Sequence, residues 1–262
     1  AFGFGVIIGS FLNVYIYRFH TGKSLSGSSH CMSCGTPLRW YELFPLLSYL
    51  GLRGRCRTCG CKIPARYFLV ELGTGALFAL SLLLSSDLLV ILIYWFIFAV
   101  LIVIFVYDLA HFIIPDGLSL ALTFAVFLLQ LHGLYQNGWQ SEPFLLDAFA
   151  AVCGGVFFLF LWVLSKGQWL GFGDVKLALP LGWLVGWQYV FSFIVLSFWI
   201  GAVVSLAIIG FQVWQKRGKA ALQNQQAGLT MKSAVPFAPF LVGSAVVVLF
   251  THFNVLDLFS FI

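Results

Sequence analysis

Charge is scarce in this chain of 262 residues, because Asp, Glu, Lys and Arg together make up only 9% of it. A soluble domain averages about 25% charged residues. Hydrophobic residues reach 61%, and a bilayer can cover that much apolar surface whereas a soluble core cannot. The composition therefore excludes an ordinary soluble domain and indicates a multi-pass membrane protein in contact with lipid.

The features of a cleavable signal peptide are also missing. Residues 1–17 are apolar, but no charged stretch precedes the apolar run and no small-x-small cleavage site follows it. We therefore expect residues 1–17 to remain in the protein as its first transmembrane helix.

Apolar runs long enough to cross a bilayer, which takes about 20 residues of helix, recur along the chain. Short polar or glycine-rich breaks separate them. The predicted domains are the first helix (1–17), a loop domain (18–66) and a seven-helix membrane domain (67–262). We expect an all-α polytopic fold with about eight transmembrane helices, at 2–17, 67–84, 88–107, 117–134, 144–164, 174–185, 189–214 and 234–253.

The basic residues are placed very unevenly. When the predicted spans alternate across the bilayer, all 14 Lys and Arg fall on one side, in or beside the loops 18–66, 165–176 and 215–233. The positive-inside rule makes that side cytoplasmic. The net charge of +5 is therefore interpreted as a topology signal, and no binding of nucleic acid is expected.

Five of the six cysteines lie close together in the loop 18–66. Two C-x-x-C pairs, separated by residues 35–55, come close to the spacing of tetrahedral zinc sites. Two disulfides are the alternative, but the reducing cytosol disfavours them. We expect a structural zinc ion that holds this loop as a small cytosolic domain, with Cys61 as a free thiol and with the ligands Cys31, Cys34, Cys56 and Cys59.

Two acidic segments lie at the cytosolic edge in this topology. Asp108 ends the third span in Y-D-L-A-H-F-I-I-P-D, and Asp174 opens the sixth in G-F-G-D-V-K. Acidic groups near the membrane core are costly and are candidates for function. Two carboxyl groups can share a proton, so that one activates water while the other protonates a carbonyl oxygen. We expect Gly171 and Gly173 to leave room beside Asp174 for water and substrate backbone.

Each of these residues also has a purely structural interpretation. Asp174 could be an N-cap of the sixth helix, and Lys176 could be its ion-pair partner or a topology charge. Asp108 and Asp116 could simply mark the polar ends of helices.

Several motifs, taken in order, resemble those of the prepilin peptidase family, also called type IV prepilin leader peptidases. They are G-S-F-L-N-V at 9–14, the two C-x-x-C pairs, the two Asp segments and V-P-F-A-P-F at 235–240. The resemblance covers most of the chain. It implies an aspartic endopeptidase of the bacterial inner membrane, with its active site facing the cytosol. Its partners would be type IV prepilins or type II secretion pseudopilins, from which it removes the basic leader peptide.

The resemblance also assigns residues to this cleavage. It makes Asp108 and Asp174 the catalytic pair, and Asp116 matches a P-D position of the family that is structural or auxiliary. The remaining supporting positions are Gly171, Gly173 and Lys176.

A second activity is implied by the same resemblance. Members of the family often methylate the new N-terminal amine with S-adenosylmethionine. Gly54 matches a family position tied to methylation, and Asn13, Glu42 and Glu71 are weaker candidates for contact with substrate or cofactor.

The chain departs from the family pattern at Met32, Ala110, Ile114, Phe172 and Ala238. None of these departures is expected to touch the catalytic pair or the zinc ligands. They affect expectations about substrate preference and methylation more than those about cleavage.

Three other classes of protein fit parts of the sequence. A proton- or metal-coupled transporter would use membrane acids, but it would place them near the midplane and often show internal repeats, which are not evident. A presenilin-like or signal-peptide protease shares the G-x-G-D motif but gives no reason for the cysteine loop. A non-enzymatic scaffold held by zinc leaves both Asp segments unexplained.

Overall fold

The computed structural model describes residues 1–19, 27, 29–218 and 235–259, and Lys23, Lys219 and Lys232 of the predicted cytosolic loops lie outside them. Within these ranges the backbone forms helices and turns, with two isolated β-bridges and no strand. Short 3₁₀ turns occur at Trp40–Leu43 and Ser81–Leu83. The α-helices are α1 Phe2–Arg18, α2 Leu47–Gly51, α3 Ala65–Leu80, α4 Leu88–His111, α5 Asp116–Gln136, α6 Ser141–Leu164, α7 Phe172–Val185, α8 Val190–Gly218, α9 Ala238–Thr251 and α10 Val255–Phe259.

The long helices coincide with the predicted membrane spans. Among the eight helices at these places in the described part of the chain, α1, α7 and α9 have 17, 14 and 14 residues. α3 has 16 residues and continues directly into the 3₁₀ turn Ser81–Leu83. The predicted polytopic all-α fold is confirmed. Among the residues that the structure describes, the segments long and apolar enough to cross a membrane are Ala65–Leu83, Leu88–His111, Asp116–Gln136, Ser141–Leu164 and Val190–Gln212.

One helix end differs from the sequence prediction in a way that matters for function. Residues 108–116 were expected to form a polar break, but α4 continues through Asp108 to His111. Nothing in 108–111 is Gly or Pro, so the helix is not interrupted there. It ends before Pro115, which disfavours the helical conformation at Ile114. Asp108 therefore lies on a helix.

The chain forms two compact units, Ala1–Tyr107 and Asp108–Ile262. The domain limits predicted from the sequence, at 17 and 66, stay a prediction. In the first unit α1 packs tightly on α3, because Gly5 and Gly9 have no side chains. A Cβ on Gly5 would lie 2.8 Å from Thr74 O, and one on Gly9 would lie 2.8 Å from Glu71 Cα.

The second unit contains a similar close contact between α6 and α7. A Cβ on Gly182 would lie 3.0 Å from Ala150 O, and one on Gly154 would lie 3.3 Å from Ala178 O. Small residues let the backbones of membrane helices approach in this way. Both faces of this contact are buried, and α7 is consequently held firmly within its unit.

Candidate functional site

Asp108 and Asp174 lie in the same compact unit, and each is 5% exposed. Asp108 is in the last turn of α4 and Asp174 is in the first turn of α7. The two carboxyl groups are close enough for the charge of Asp108 to act on Asp174. The fold therefore brings together two acidic side chains that are far apart in the sequence.

Each carboxyl group meets a backbone N–H at the beginning of a helix. The N–H of Gly171, the N-cap of α7, donates to Asp174 Oδ2 over 3.1 Å. The N–H of Ala238, the first residue of α9, lies near enough to the Asp108 carboxyl group to interact with it. The first N–H groups of a helix have no partner within the helix and carry partial positive charge. Both carboxyl groups thus have a partner that stabilises their ionised form.

One carboxyl oxygen of the aspartate pair has no hydrogen-bond partner among the described residues. Asp108 Oδ2 is buried and accepts no hydrogen bond from the part of the chain that the structure describes. Leaving a buried polar atom unpaired costs about 1–3 kcal/mol. An acceptor left open in this position can receive a hydrogen bond from a water molecule or from a substrate group.

The glycines beside Asp174 have different structural roles. A Cβ on Gly173 would lie 3.1 Å from Ile114 Cβ, so this glycine permits α7 to approach the segment 112–115. Gly171 has an open position in which a Cβ would be 3.6 Å from Asp174 Oδ2. The space that the sequence predicted is therefore present beside Gly171, whereas Ile114 occupies the space beside Gly173.

Two of the departures from the family pattern lie near the aspartates, and one of them, Ala238, interacts with Asp108, although none was expected to touch the catalytic pair. Ala238 contacts Asp108 through its backbone N–H, and Ile114 packs against Gly173 next to Asp174. The interaction of Ala238 uses a backbone group and does not depend on the side chain. This contact could not be read from residue types, because it depends on where α9 begins.

Lys176 and Asp116 pair with each other at the edge of the same unit. Lys176 Nζ lies 2.6 Å from Asp116 Oδ1, and the two side chains are 38% and 76% exposed. Lys176 Nζ also lies 5.2 Å from the ring centroid of Phe172. The partner of Lys176 is thus Asp116 and not Asp174, and the ion pair joins the N-terminal parts of α5 and α7.

Four thiols of the first unit converge on one point. The Sγ atoms of Cys31, Cys56, Cys59 and Cys61 all lie within 4.8 Å of one another. Tetrahedral zinc with Zn–S bonds of about 2.3 Å separates its sulfur ligands by about 3.8 Å. Cys31 Sγ lies 3.8 Å from Cys59 Sγ and 3.6 Å from Cys61 Sγ. The donor atoms and their spacing fit zinc.

This set of thiols differs from the predicted one at one position. Cys61, which was expected to be a free thiol, belongs to the four, and Cys34 does not. Cys34 is exposed, and its Sγ donates to Thr36 Oγ1 over 3.3 Å. It still interacts with Cys31 and Cys59. All six cysteines are described and all are free of disulfides.

A cavity of about 250 Å³ adjoins the cysteine turns and the helices α1 and α3. Three of the four residues proposed for contact with substrate or cofactor line it. The polar and aromatic residues of its wall include Asn13, Glu42, Glu71, Tyr49 and Tyr67, and the cationic residues Arg18, Arg57 and Lys62 also line it.

The two buried polar residues of this wall connect separate segments. Asn13 Nδ2 donates to the carbonyl oxygen of Tyr67 over 3.0 Å and so ties α1 to α3. Glu71 Oε2 accepts the N–H of Leu46 over 2.8 Å. Leu46 has φ +59° and ψ −51°, a strained conformation for a residue with a side chain. Glu71 therefore holds a strained turn that lies in the sequence between Leu43 and Ser48, two residues of the cavity wall.

Glu42 is held from two sides. Its Oε2 accepts the N–H of Arg39 over 2.7 Å, and its Oε1 accepts Arg57 Nε over 3.0 Å. The N–H of Arg39, followed by the charge of Arg57, keeps the pKa of Glu42 below its usual value. Glu42 is therefore a carboxylate at neutral pH and links the 3₁₀ turn to the second C-x-x-C pair.

Gly54 lies behind the cavity wall. It has φ +65°, and a Cβ there would lie 2.9 Å from Tyr49 Oη. A side chain at this position would thus strain the backbone and displace Tyr49, which lines the cavity.

The fold and these groups of residues define a polytopic membrane protein with a buried aspartate pair and a thiol cluster. Residues 4–85 match the model of the bacterial peptidase A24 N-terminal domain, and residues 95–206 match that of the type IV leader peptidase family. The chain belongs to the type IV leader peptidase family. No solved structure gives a significant match.

Individual relatives agree with this assignment. A protein named prepilin leader peptidase/N-methyltransferase from Burkholderia pseudomallei (strain 1026b) is 31% identical, over 94% of this chain and 82% of the relative. One of the same name from Aeromonas hydrophila is 32% identical, over 92% and 86%. A third, from Klebsiella pneumoniae, is 35% identical, over 70% and 83%.

Proposed function

We propose that this chain is a prepilin leader peptidase that also methylates its product, and that it works at the cytosolic edge of the bacterial inner membrane. Its family membership and the names of its relatives support the two activities. The gathering of basic residues in one set of loops supports the orientation. Type IV prepilins or type II secretion pseudopilins are the proposed substrates.

The buried pair of Asp108 and Asp174 is the observation that carries the peptidase proposal. Two interacting carboxyl groups hold one proton between them, and their titration belongs to the pair. The ionised member takes a proton from water as the water attacks the scissile carbonyl carbon. The protonated member donates to the carbonyl oxygen. The open Asp108 Oδ2 is the atom we assign to the water.

The position of the pair suits the proposed substrate. A prepilin carries a basic leader ahead of an apolar helix, so its cleavage site lies where the chain enters the membrane. Asp108 lies in the last turn of α4 and Asp174 in the first turn of α7, so neither is at the middle of its helix. This arrangement favours a peptidase over a transporter, which would hold its acids near the midplane.

Methylation is assigned to the cavity of the first unit. S-adenosylmethionine, when bound, supplies the methyl group for the new N-terminal amine. Its sulfonium is positively charged. Of the two carboxyl groups on the wall we assign that of Glu71 to it, since that of Glu42 is paired with Arg57. Asn13 and the Tyr49 ring complete the proposed binding residues.

Zinc is proposed as a structural ion in the thiol cluster. Four thiolates close the coordination sphere and leave no position for a reacting group. The ion would therefore hold the two C-x-x-C turns together beside the cavity and take no part in either reaction.

The peptidase assignment is tested by Asp108→Asn and Asp174→Asn, each with a prepilin and S-adenosylmethionine in detergent. General acid–base groups contribute about 10²–10⁴-fold to rate, so we expect cleavage to fall by at least about 100-fold. Mass spectrometry of the product measures leader loss and methylation together. Glu142→Gln, an exposed carboxylate at the start of α6, is the matched control. Normal cleavage by either Asp variant would refute the pair.

A cleaved substrate separates the two activities. Because methyl transfer does not need the aspartates, both Asp variants should methylate a synthetic peptide that already lacks the leader. Loss of methylation together with cleavage would show that the substitutions disturb the protein as a whole.

A further inference from the structure

The thiol cluster offers more sulfur ligands than one zinc ion can take. Cys31, Cys56, Cys59 and Cys61 lie within mutual reach, and Cys34 interacts with Cys31 and Cys59. A tetrahedral ion binds four of the five. One of the five thiols is therefore not bound to the ion.

The two C-x-x-C segments have the same backbone turn. Gly35 N–H donates to Cys31 O, and Gly60 N–H donates to Cys56 O, both over 2.9 Å. The N–H of Cys31 bonds to the carbonyl of Thr36 over 2.9 Å, and that of Cys56 to the carbonyl of Cys61 over 2.8 Å. Cys61 thus occupies in the second turn the position that Thr36 occupies in the first.

This equivalence suggests a role for Cys61 other than that of a zinc ligand. The Thr36 hydroxyl is hydrogen-bonded to Cys34, and Cys61 interacts with Cys59 in the corresponding way. By analogy Cys61 would only support Cys59 and would not bind metal. However, Cys61 Sγ also lies 3.6 Å from Cys31 Sγ, on the opposite turn. A supporting group of Cys59 has no need of that second contact, whereas a zinc ligand requires it.

We propose that Cys34 and Cys61 are alternative fourth ligands, and that Cys31, Cys56 and Cys59 are the fixed three. This inference rests on the zinc site proposed above. In an exchange, Cys61 loses its proton as its sulfur binds zinc, and Cys34 takes up a proton as its sulfur leaves. The number of thiolates on the metal and the charge of the site stay the same.

The test measures zinc per protein in the purified full chain and in five variants. They are Cys34→Ala, Cys61→Ala, the double variant of these two, Cys56→Ala as the loss of a fixed ligand, and Cys153→Ala as a control in the other compact unit. We expect one zinc in each single variant at 34 and 61, as in the unchanged protein and in Cys153→Ala. The double variant should lose zinc to the level of Cys56→Ala.

Cobalt substitution shows whether the fourth position is filled by sulfur. The intensity of the thiolate-to-cobalt charge-transfer band depends on the number of bound thiolates. We expect the band of each single variant to equal that of the unchanged protein. A band lowered by about a quarter in Cys34→Ala, as expected for three thiolates in place of four, would show that Cys61 does not replace it and would overturn the proposal.

The other outcomes are equally decisive. If Cys34→Ala loses zinc as fully as Cys56→Ala, Cys61 is only a supporting group. If Cys61→Ala does so, Cys61 is a fixed ligand and there is no exchange. Zinc retained by the double variant would exclude both as ligands. Absence of zinc from the unchanged protein would remove the site itself, while cleavage by the same preparation would leave the peptidase proposal standing.

Discussion

The two candidate sites of this protein are held in place by different means. The thiol cluster is carried by short turns, and only Cys56 among its four members is buried. The aspartates are carried by helix ends, and both are 5% exposed. Turns with little apolar burial have little to stabilise them, so the zinc ion that we propose would be what holds the first site together. The second relies on close packing between helices.

Metal removal should give the largest difference between the two sites. Structural zinc contributes an apparent 10–16 kcal/mol in small zinc peptides, so a strong chelator should release the turns around the cysteines. We expect methylation to be lost, and we expect the four thiols of the cluster and Cys34 to react with a thiol reagent. Cleavage should stay within about tenfold, or 1.4 kcal/mol. Mass spectrometry measures both labelling and product.

The control for this experiment is re-addition of zinc, which should restore methylation. If chelation abolished cleavage as completely as Asp174→Asn does, the two sites would depend on one another and the comparison would fail.

Gly173→Ala tests the packing that supports the aspartates. The new Cβ would lie 3.1 Å from Ile114 Cβ and 3.2 Å from Ile114 Cδ1. Overpacking of this kind costs about 1–3 kcal/mol, so we expect cleavage to fall about 5- to 100-fold and methylation of a cleaved peptide to stay normal. Ile114→Ala in the same chain should restore part of the cleavage. Unchanged cleavage by Gly173→Ala alone would contradict the packing role.

Gly54→Ala should give the smallest effect, and it should act on methylation instead of cleavage. The left-handed conformation costs a residue with a side chain about 1–2 kcal/mol, and the new Cβ would displace Tyr49 from the cavity wall. We expect methylation to fall about 5- to 30-fold with normal cleavage. Gly51→Ala, where a Cβ meets nothing within 4 Å, is the matched control. An equal loss in both variants would exclude a specific role of Tyr49.

The membrane helices could be predicted because their signal is local. Most of the spans are continuous apolar runs about as long as the bilayer requires. Helices occur at all eight predicted places in the described residues. Asp108 and Asp174 could be singled out for a related reason, since an acidic residue beside such a run has a high cost.

The contacts that complete the sites could not be predicted because they join distant segments. Nothing local to Ala238 shows that its N–H reaches Asp108, and nothing local to Lys176 shows that it pairs with Asp116. The membership of Cys61 in the thiol cluster is an intermediate case. Aligning the two cysteine segments places it opposite Thr36, but its distance to Cys31 depends on how the two turns face each other.

The close contact between α6 and α7 has a consequence for motion. Because the backbones meet at Gly154 and Gly182, neither helix can slide or rotate without colliding with the other. Asp174 is thus carried by an element with few alternative positions. We expect the amide hydrogens of α7 to be among the slowest in the chain to exchange with deuterium. A helical substrate keeps its carbonyls in its own hydrogen bonds; the local unwinding needed to present one to a fixed carboxyl group must therefore occur in the substrate.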